Sequence, residues 1–210
     1  MTEQPDSQQG GQPDSEPTSQ SQRPSMRERM LAGDRYRADD PEIAADHQRA
    51  MALVEAFNAS PAVDPAHRRR LLTALLGAFG EGSEIRPPFH CDYGHQISFG
   101  ARTFANFGLI VLDVATVTVG DDVQIGPRVQ LLTATHPLEP HARRAKWESA
   151  APISIADNVW LGAGVIVCPG VSIGENTVVG AGSVVLGDLP ADVLAAGTPA
   201  RILRPLAAEG

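Results

Sequence analysis

A six-residue period constrains this chain more than any other feature. Reading in sixes from Val119 gives VGDDVQ, IGPRVQ and LLTATH, ending at His136. After an interruption come IADNVW, LGAGVI, VCPGVS, IGENTV, VGAGSV and VLGDLP, from Ile155 to Pro190. The first position is Val119, Ile125, Leu131, Ile155, Leu161, Val167, Ile173, Val179 and Val185, aliphatic in every hexad. Ordinary composition would put an aliphatic at roughly one such position in four. The fifth position is small or β-branched in all but the last hexad, which has Leu189, and glycine recurs at the second position at 120, 126, 162, 174 and 180. Ordinary alternating strands would show a period of two and no six-residue glycine register. The pattern predicts a parallel β-helix, in which each hexad is one short strand plus one corner of a triangular coil. The first residue points into the core, the fifth fits the corner, and glycine accepts the backbone angles of the turn. Stacked coils then lie about 4.8 Å apart.

Upstream, ISFGARTFANFGLIVLDVATVTVG (97–120) keeps the spacing at Phe99, Ala105, Val111 and Val117, but two residues out of phase with Val119. A short insertion accounts for the shift. Residues 137–152 (PLEPHARRAKWESAAP) break the pattern with three prolines and five charges. They read as a loop protruding from one edge, and long loops on a rigid scaffold commonly carry function. Residues 25–80 have a helical period instead. Asp40-Pro41 and Asp64-Pro65 each place an N-cap before a first-turn proline, followed by Ile43, Met51, Leu53, Val54 and Phe57, then Leu71, Leu72, Leu75, Leu76 and Phe79. The run His67-Arg68-Arg69-Arg70 fits a solvated helix start. The chain thus divides into a disordered tail (1–24), poor in apolar residues, a helical cap (25–80), a β-helix (81–194) and a C-terminal segment (195–210).

Composition narrows the function. Aromatic residues are 5% of the chain, against 20 glycines and 17 prolines, which suits many tight turns and not a helical bundle. Two cysteines, Cys91 and Cys168, are too few for a disulfide framework and lie in no metal-ligand spacing. No apolar run reaches the length of a membrane span, and the N-terminus has no apolar signal core. A cytoplasmic protein without membrane contact is expected. A net charge of −8 without a basic stripe excludes nucleic acid as the expected partner.

Several segments are similar to motifs of the maltose/galactoside O-acetyltransferases, a hexapeptide-repeat family. They are MLAGDRYRADDPEI (30–43), PPFHCDYGHQISFG (87–100), FANFGLIVLD (104–113), TATHP (133–137), PISIADNVWLGAGVIVCPGVSIGENTVVGAGSVV (152–185) and AAGTPARILR (195–204). The resemblance runs from about Met26 to Arg204. Hexads alone mark a fold shared by several transferases; TATHP, a looped-out segment and then NVWLG are more specific. The resemblance implies a left-handed parallel β-helix with an N-terminal α-helical cap, assembled as a homotrimer with sites between subunits. It also implies transfer of acetyl from acetyl-CoA to a hydroxyl of a sugar-like acceptor, with no metal.

Transfer to a hydroxyl needs a base, because an alcohol is a poor nucleophile at neutral pH. The resemblance puts the catalytic histidine at His136, where a coil ends before the loop. It puts acceptor contacts at Asn106 and Asp92; a turn-forming role competes at Asn106. Glu148, at the loop's end, is a candidate to orient His136 or to bind an acceptor hydroxyl, with a solvated loop charge as the competing reading. Trp160 stands where other hexads carry smaller residues and is expected to line the pantetheine channel, with core filling as the alternative. Backbone near Ala163 and Ala181 would line the same arm, and Arg201 and Arg204 would contact phosphate, a task suited to guanidinium. The chain departs from many relatives at Leu186-Gly187, where Thr-Lys is usual, so one cationic contact to the cofactor is missing.

Two other readings compete. A γ-type carbonic anhydrase uses the same coil with zinc on three histidines, and His136 and His141 have a suggestive spacing. A third ligand is needed, and His90 and His95 match no ligand motif. A trimeric scaffold without catalysis is the second alternative.

Overall fold

The computed structural model describes residues 23–206. The expectation for 1–24 lies outside the described residues but for its last two positions. Three sheets wrap a common axis. The first face holds Ala78–Phe79, Ile97–Phe99, Val117–Val119, Ile153–Ile155 and Ser172–Ile173. The second holds Glu84–Ile85, Phe104–Ala105, Gln124–Ile125, Trp160–Leu161, Val178–Val179 and Val193–Gly197, all parallel, then Ala200–Pro205 antiparallel at its edge. The third holds Phe89–Cys91, Leu109–Leu112, Gln130–Leu132, Ile166–Val167 and Val184–Val185. The chain visits the faces in that order and begins again one layer along, making a left-handed parallel β-helix.

The hexad explains the burial. Every first-position aliphatic is at most 2% exposed, and fifth-position Val123, Val129, Val159, Val165 and Val171 are at most 1% exposed. Each fully buried aliphatic contributes about 1.5–3 kcal/mol from removal of apolar surface. Fifth-position Thr177 and Ser183 are equally buried, with their hydroxyls donated to Pro190 O and Gly180 O, both at 2.6 Å. Thr135 departs from the rule and is exposed. The coil breaks off earlier, and Thr133 takes the buried corner, donating its hydroxyl to Leu112 O at 2.6 Å.

The second-position glycines are required for a different reason from the one expected. The left-handed backbone is at position four, in Arg102, Gly108, Asp122, Arg128, Asn158, Gly164, Gly170, Asn176 and Gly182. At the glycines of position two the next layer is too close for a side chain. A Cβ on Gly126 would lie 2.7 Å from Ala163 N, and one on Gly162 2.5 Å from Ala181 N.

The expected insertion is present at one corner. Val119 pairs with Phe99, twenty positions back, whereas Ile173 pairs with Ile155, eighteen back. The additional residues of the longer layers lie between the third and first faces, around 92–96 and 113–116. The loop leaves from this same corner. Its base is a two-stranded antiparallel ladder, Ala134–Thr135 against Ser149–Ala150, with a short helix, Pro140–Arg144, at its far end.

Three helices precede the coil: α1 (Met26–Leu31), α2 (Pro41–Asn58) and α3 (Pro65–Leu75). Asp40 and Asp64 cap α2 and α3, accepting from Glu42 N and His67 N. Ser25 begins α1 with a reciprocal capping box to Glu28, a signal the sequence reading passed over. Val54, Phe57, Leu72 and Leu75 join the coil's core, with Phe57 edge-on to Phe89 at 6.5 Å. Two expected limits move. The coil begins at Ala78, inside the segment read as helical, because Ala78 and Phe79 pair with Ser98 and Phe99. It also continues past 194, because Ala195 pairs with Val179 and is fully buried.

Candidate active site

One groove runs along the edge between the second and third faces, with a volume of about 480 Å³. Asn106, Trp160, Ala163 and Ala181 all line it, with Phe104, Gly126, Gly162 and Gly180 between them. The hexad places them together: Asn106, Gly126, Gly162 and Gly180 are second-position residues of successive layers, so they stack at one corner. Trp160 is 56% exposed, which excludes core filling. Its neighbour Leu161 points inward, so the indole stands outward, in register with Gln124 and Val178. The Asn106 side-chain oxygen accepts Phe107 N at 2.8 Å. This contact is local to the corner, and Nδ2 has no hydrogen-bond partner among the described residues.

His136, Asp92 and Glu148 belong to a different edge, the loop-bearing corner between the third and first faces. His136 is exposed, one residue beyond the ladder strand Ala134–Thr135. Thr135 pairs with Ser149, which leaves His136 and Glu148 as the first residues beyond that end of the ladder. The Glu148 carboxylate accepts the Tyr36 hydroxyl at 2.7 Å. Asp92 is half-buried; burial raises its carboxyl above the usual range, with His47 opposing and Glu148 reinforcing the shift. Beneath it, Asp113 accepts the N–H groups of Asp92 and Tyr93 through Oδ1. Burial likewise pushes the Cys91 thiol up, so it is an inert core group. Cys168 is partly exposed at the same corner.

Arg201 and Arg204 do not line the groove. They lie on the strand that ends the second face, beyond the groove's last layer. Residues three apart on a strand normally point to opposite sides. Here Arg201 pairs with Ala196 and Arg204 with Leu194, while Ile202 pairs with Ala195, so Leu203 is an additional residue in the ladder. This bulge returns both arginines to the outer face, the side on which Trp160 stands. Leu186 and Gly187 border a separate hollow with Arg201 and Ile202.

The sequence reading missed Tyr36 and Asp113, the buried partners of Glu148 and Asp92. Tyr36 lies in the MLAGDRYRADDPEI segment, where nothing but the motif itself singled it out. Among the described residues of one chain, no group of three or more His, Cys, Asp or Glu is placed to hold a metal ion. No described helix is long and apolar enough to cross a membrane.

Known proteins share this organisation. Residues 29–80 match the maltose acetyltransferase hexapeptide capping motif, and residues 152–187 match the bacterial transferase hexapeptide repeats. A galactoside O-acetyltransferase of Lactococcus lactis is 40% identical, over 81% of this chain and 83% of its own length. The crystal structure of a maltose O-acetyltransferase from Clostridium difficile superposes with a TM-score of 0.86 at 37% identity, covering 88% of this chain and 98% of that one. A hexapeptide-repeat acetyltransferase from Vibrio cholerae, solved with acetyl-CoA, gives 0.82 at 43% identity, covering 88% of this chain and all of the other. The chain therefore belongs to the maltose/galactoside O-acetyltransferases, acyltransferases of the hexapeptide-repeat class.

Proposed function

We propose that this enzyme moves the acetyl group of acetyl-CoA to a hydroxyl of a sugar or sugar-like acceptor, as a cytoplasmic homotrimer with His136 as general base. The observation that carries the reading is the separation of the two halves of the site. Asn106, Trp160, Ala163 and Ala181 line a groove on one edge of the prism, and His136, Asp92 and Glu148 stand at another. A second copy laid along the groove brings its loop corner to the missing position. Three such contacts close a ring, which is the symmetric solution for a head-to-tail interface.

The residues suit this chemistry. Neutral His136 accepts the proton of the acceptor hydroxyl as its oxygen attacks the thioester carbonyl. Asn106 Nδ2 offers a hydrogen bond to hold that hydroxyl, and Asp92 accepts one from a neighbouring hydroxyl of the acceptor. When the carbon–sulfur bond breaks, protonated His136 returns its proton to the sulfur, releasing the CoA thiol without an acyl-enzyme. Glu148, beyond the same end of the ladder as His136, serves in this reading to orient the ring. The groove floor has no side chain at Gly162 and Gly180 and only methyls at Ala163 and Ala181, which suits a slender pantetheine arm beside Trp160. Arg201 and Arg204 supply positive charge for the phosphates. The chemistry needs no metal ion.

The test is acetyl transfer from acetyl-CoA across a panel of glucosides, galactosides, maltose, chitin oligosaccharides and simple alcohols, corrected for thioester hydrolysis. Light scattering on the same sample gives the mass. An acetyl ester on a sugar and a trimeric mass are expected. Acceptor-independent hydrolysis alone, or a monomer with full activity, would overturn the reading.

A further inference from the structure

Tyr36 and Glu148 are 112 residues apart in sequence and joined at three points. Tyr36 N donates to Glu148 O at 3.0 Å, Glu148 N donates to Tyr36 O at 2.9 Å, and the Tyr36 hydroxyl donates to Glu148 Oε2 at 2.7 Å. The first two bonds make an isolated antiparallel bridge. The third fixes the carboxylate itself. Tyr36 is 1% exposed, packed with Met30, Ile43, Tyr93 and Val114 in a small apolar cluster of its own. A second fastener lies beside it, since the Trp147 ring is held between the guanidinium groups of Arg29 and Arg37, at 5.7 and 5.6 Å. The segment after α1 therefore grips the returning strand of the loop at Glu148, which with His136 is the first residue beyond the end of the ladder.

We propose that Tyr36 is a positioning residue, whose hydroxyl holds the Glu148 carboxylate in the orientation that aligns His136. The inference rests on the acetyl-transfer reading and its roles for His136 and Glu148. A backbone bridge alone would hold the strand; the hydroxyl adds control of the side-chain torsions, which the bridge leaves free. Burial and the neighbouring carboxylates keep the phenol protonated, its pKa raised far above the ordinary value, so it stays a donor across the working range. The titratable groups around the pair are Asp92 and Tyr93, with Asp113 and His47 just beyond. Arg29 and Arg37, the nearby cations, lie over the Trp147 ring, and neither has a hydrogen bond or ion pair to Glu148.

Tyr36→Phe deletes only the hydroxyl and leaves the buried ring. With acetyl-CoA and an accepted sugar, kcat should fall about tenfold, because a carboxylate left free to turn no longer keeps the base in its reacting geometry. KM for both substrates and the melting temperature should stay close to those of the unsubstituted protein. In a Glu148→Ala background, Tyr36→Phe should cause little further loss, because the group it positions is gone. Unchanged kcat in Tyr36→Phe overturns the inference. So does an equal loss in both backgrounds, or a loss that tracks a lowered melting temperature, since each marks a merely structural role. An inactive unsubstituted protein would sink the acetyl-transfer reading itself, whereas an active one with an indifferent Tyr36→Phe sinks only the positioning role.

Discussion

Asp113 accepts the backbone N–H of Asp92 through Oδ1 at 3.0 Å, and so fixes the residue proposed to meet the acceptor. The same oxygen accepts Tyr93 N at 2.9 Å, while Oδ2 is buried without a hydrogen-bond partner. Asp113 has no exposed surface. Burial raises its pKa to about 6, against the opposing pull of the backbone donors.

A raised carboxyl pKa weakens the fold as the group ionises. The native state holds the proton up to about pH 6, and the unfolded chain releases it near pH 4. The stability contributed by protonated Asp113 is full below pH 4 and lost as pH rises through 6, an effect of at most about 3 kcal/mol. Asp113→Asn keeps an oxygen for the two N–H groups and removes the titration. Urea midpoints at pH 4.5 and 7.5 should show the unsubstituted protein losing ground to the variant at the higher pH. Parallel midpoints at the two pH values would mean that Asp113 is not protonated in the native state.

The two kinds of glycine should differ in how much alanine costs. A Cβ on Gly162 meets Ala181 N at 2.5 Å and Val179 O at 2.9 Å, atoms held by the ladder between layers. Neither layer can yield alone, so Gly162→Ala should destabilise by about 3 kcal/mol, the upper range for overpacking. Gly182 has φ +70° and open space around it. Gly182→Ala should cost only about 1 kcal/mol, the strain of a side chain in left-handed backbone. Denaturant melts of both variants check the order, and equal losses would contradict it.

The coil was legible because the hexad repeats its burial in every layer, so chance matches at Val119 or Leu161 are outvoted by their equivalents. Asn106, Ala163 and Ala181 came from the resemblance to the family's motifs; the period explains only why they fall at one corner, Asn106 at position two and the two alanines at position three. Glycine's role at position two was misread because one sequence position does not reveal how near the next layer lies. The bulge at Leu203, which sets Arg201 and Arg204 on one face, leaves no periodic trace. The Tyr36–Glu148 pair is formed by segments at opposite ends of the chain, and no local pattern links them.

His136→Ala should lower acetyl transfer by a factor of at least 10², the typical effect of losing a general base. The residue is exposed at a strand end, so the coil has no reason to change, and the melting temperature should stay within a few degrees. Turnover measured with saturating acetyl-CoA and acceptor separates the base's role from binding. Near-normal turnover in this variant would exclude His136 as the base.

The donor side makes a separate demand on the chain. With a net charge of −8, the protein as a whole repels a polyanionic cofactor, so binding depends on local positive charge. Leu186 and Gly187 supply none, and they face a hollow outside the groove. Arg201 and Arg204 lie on the strand just past the groove's last layer, turned to the same outer side by the bulge at Leu203. From Val178, which lines the groove, Leu194 is one strand away and Arg204 two, a span of about 10 Å at ordinary strand spacing. Contacts from them to the cofactor phosphates would be exposed and made equally in the ground and transition states. Replacing either arginine by Ala should therefore raise KM for acetyl-CoA and leave kcat nearly unchanged. Salt screens such contacts, so KM should rise less steeply with ionic strength in the variants than in the unsubstituted protein. An unchanged KM in the Arg201→Ala, Arg204→Ala double variant would place the cofactor phosphates elsewhere on the assembly.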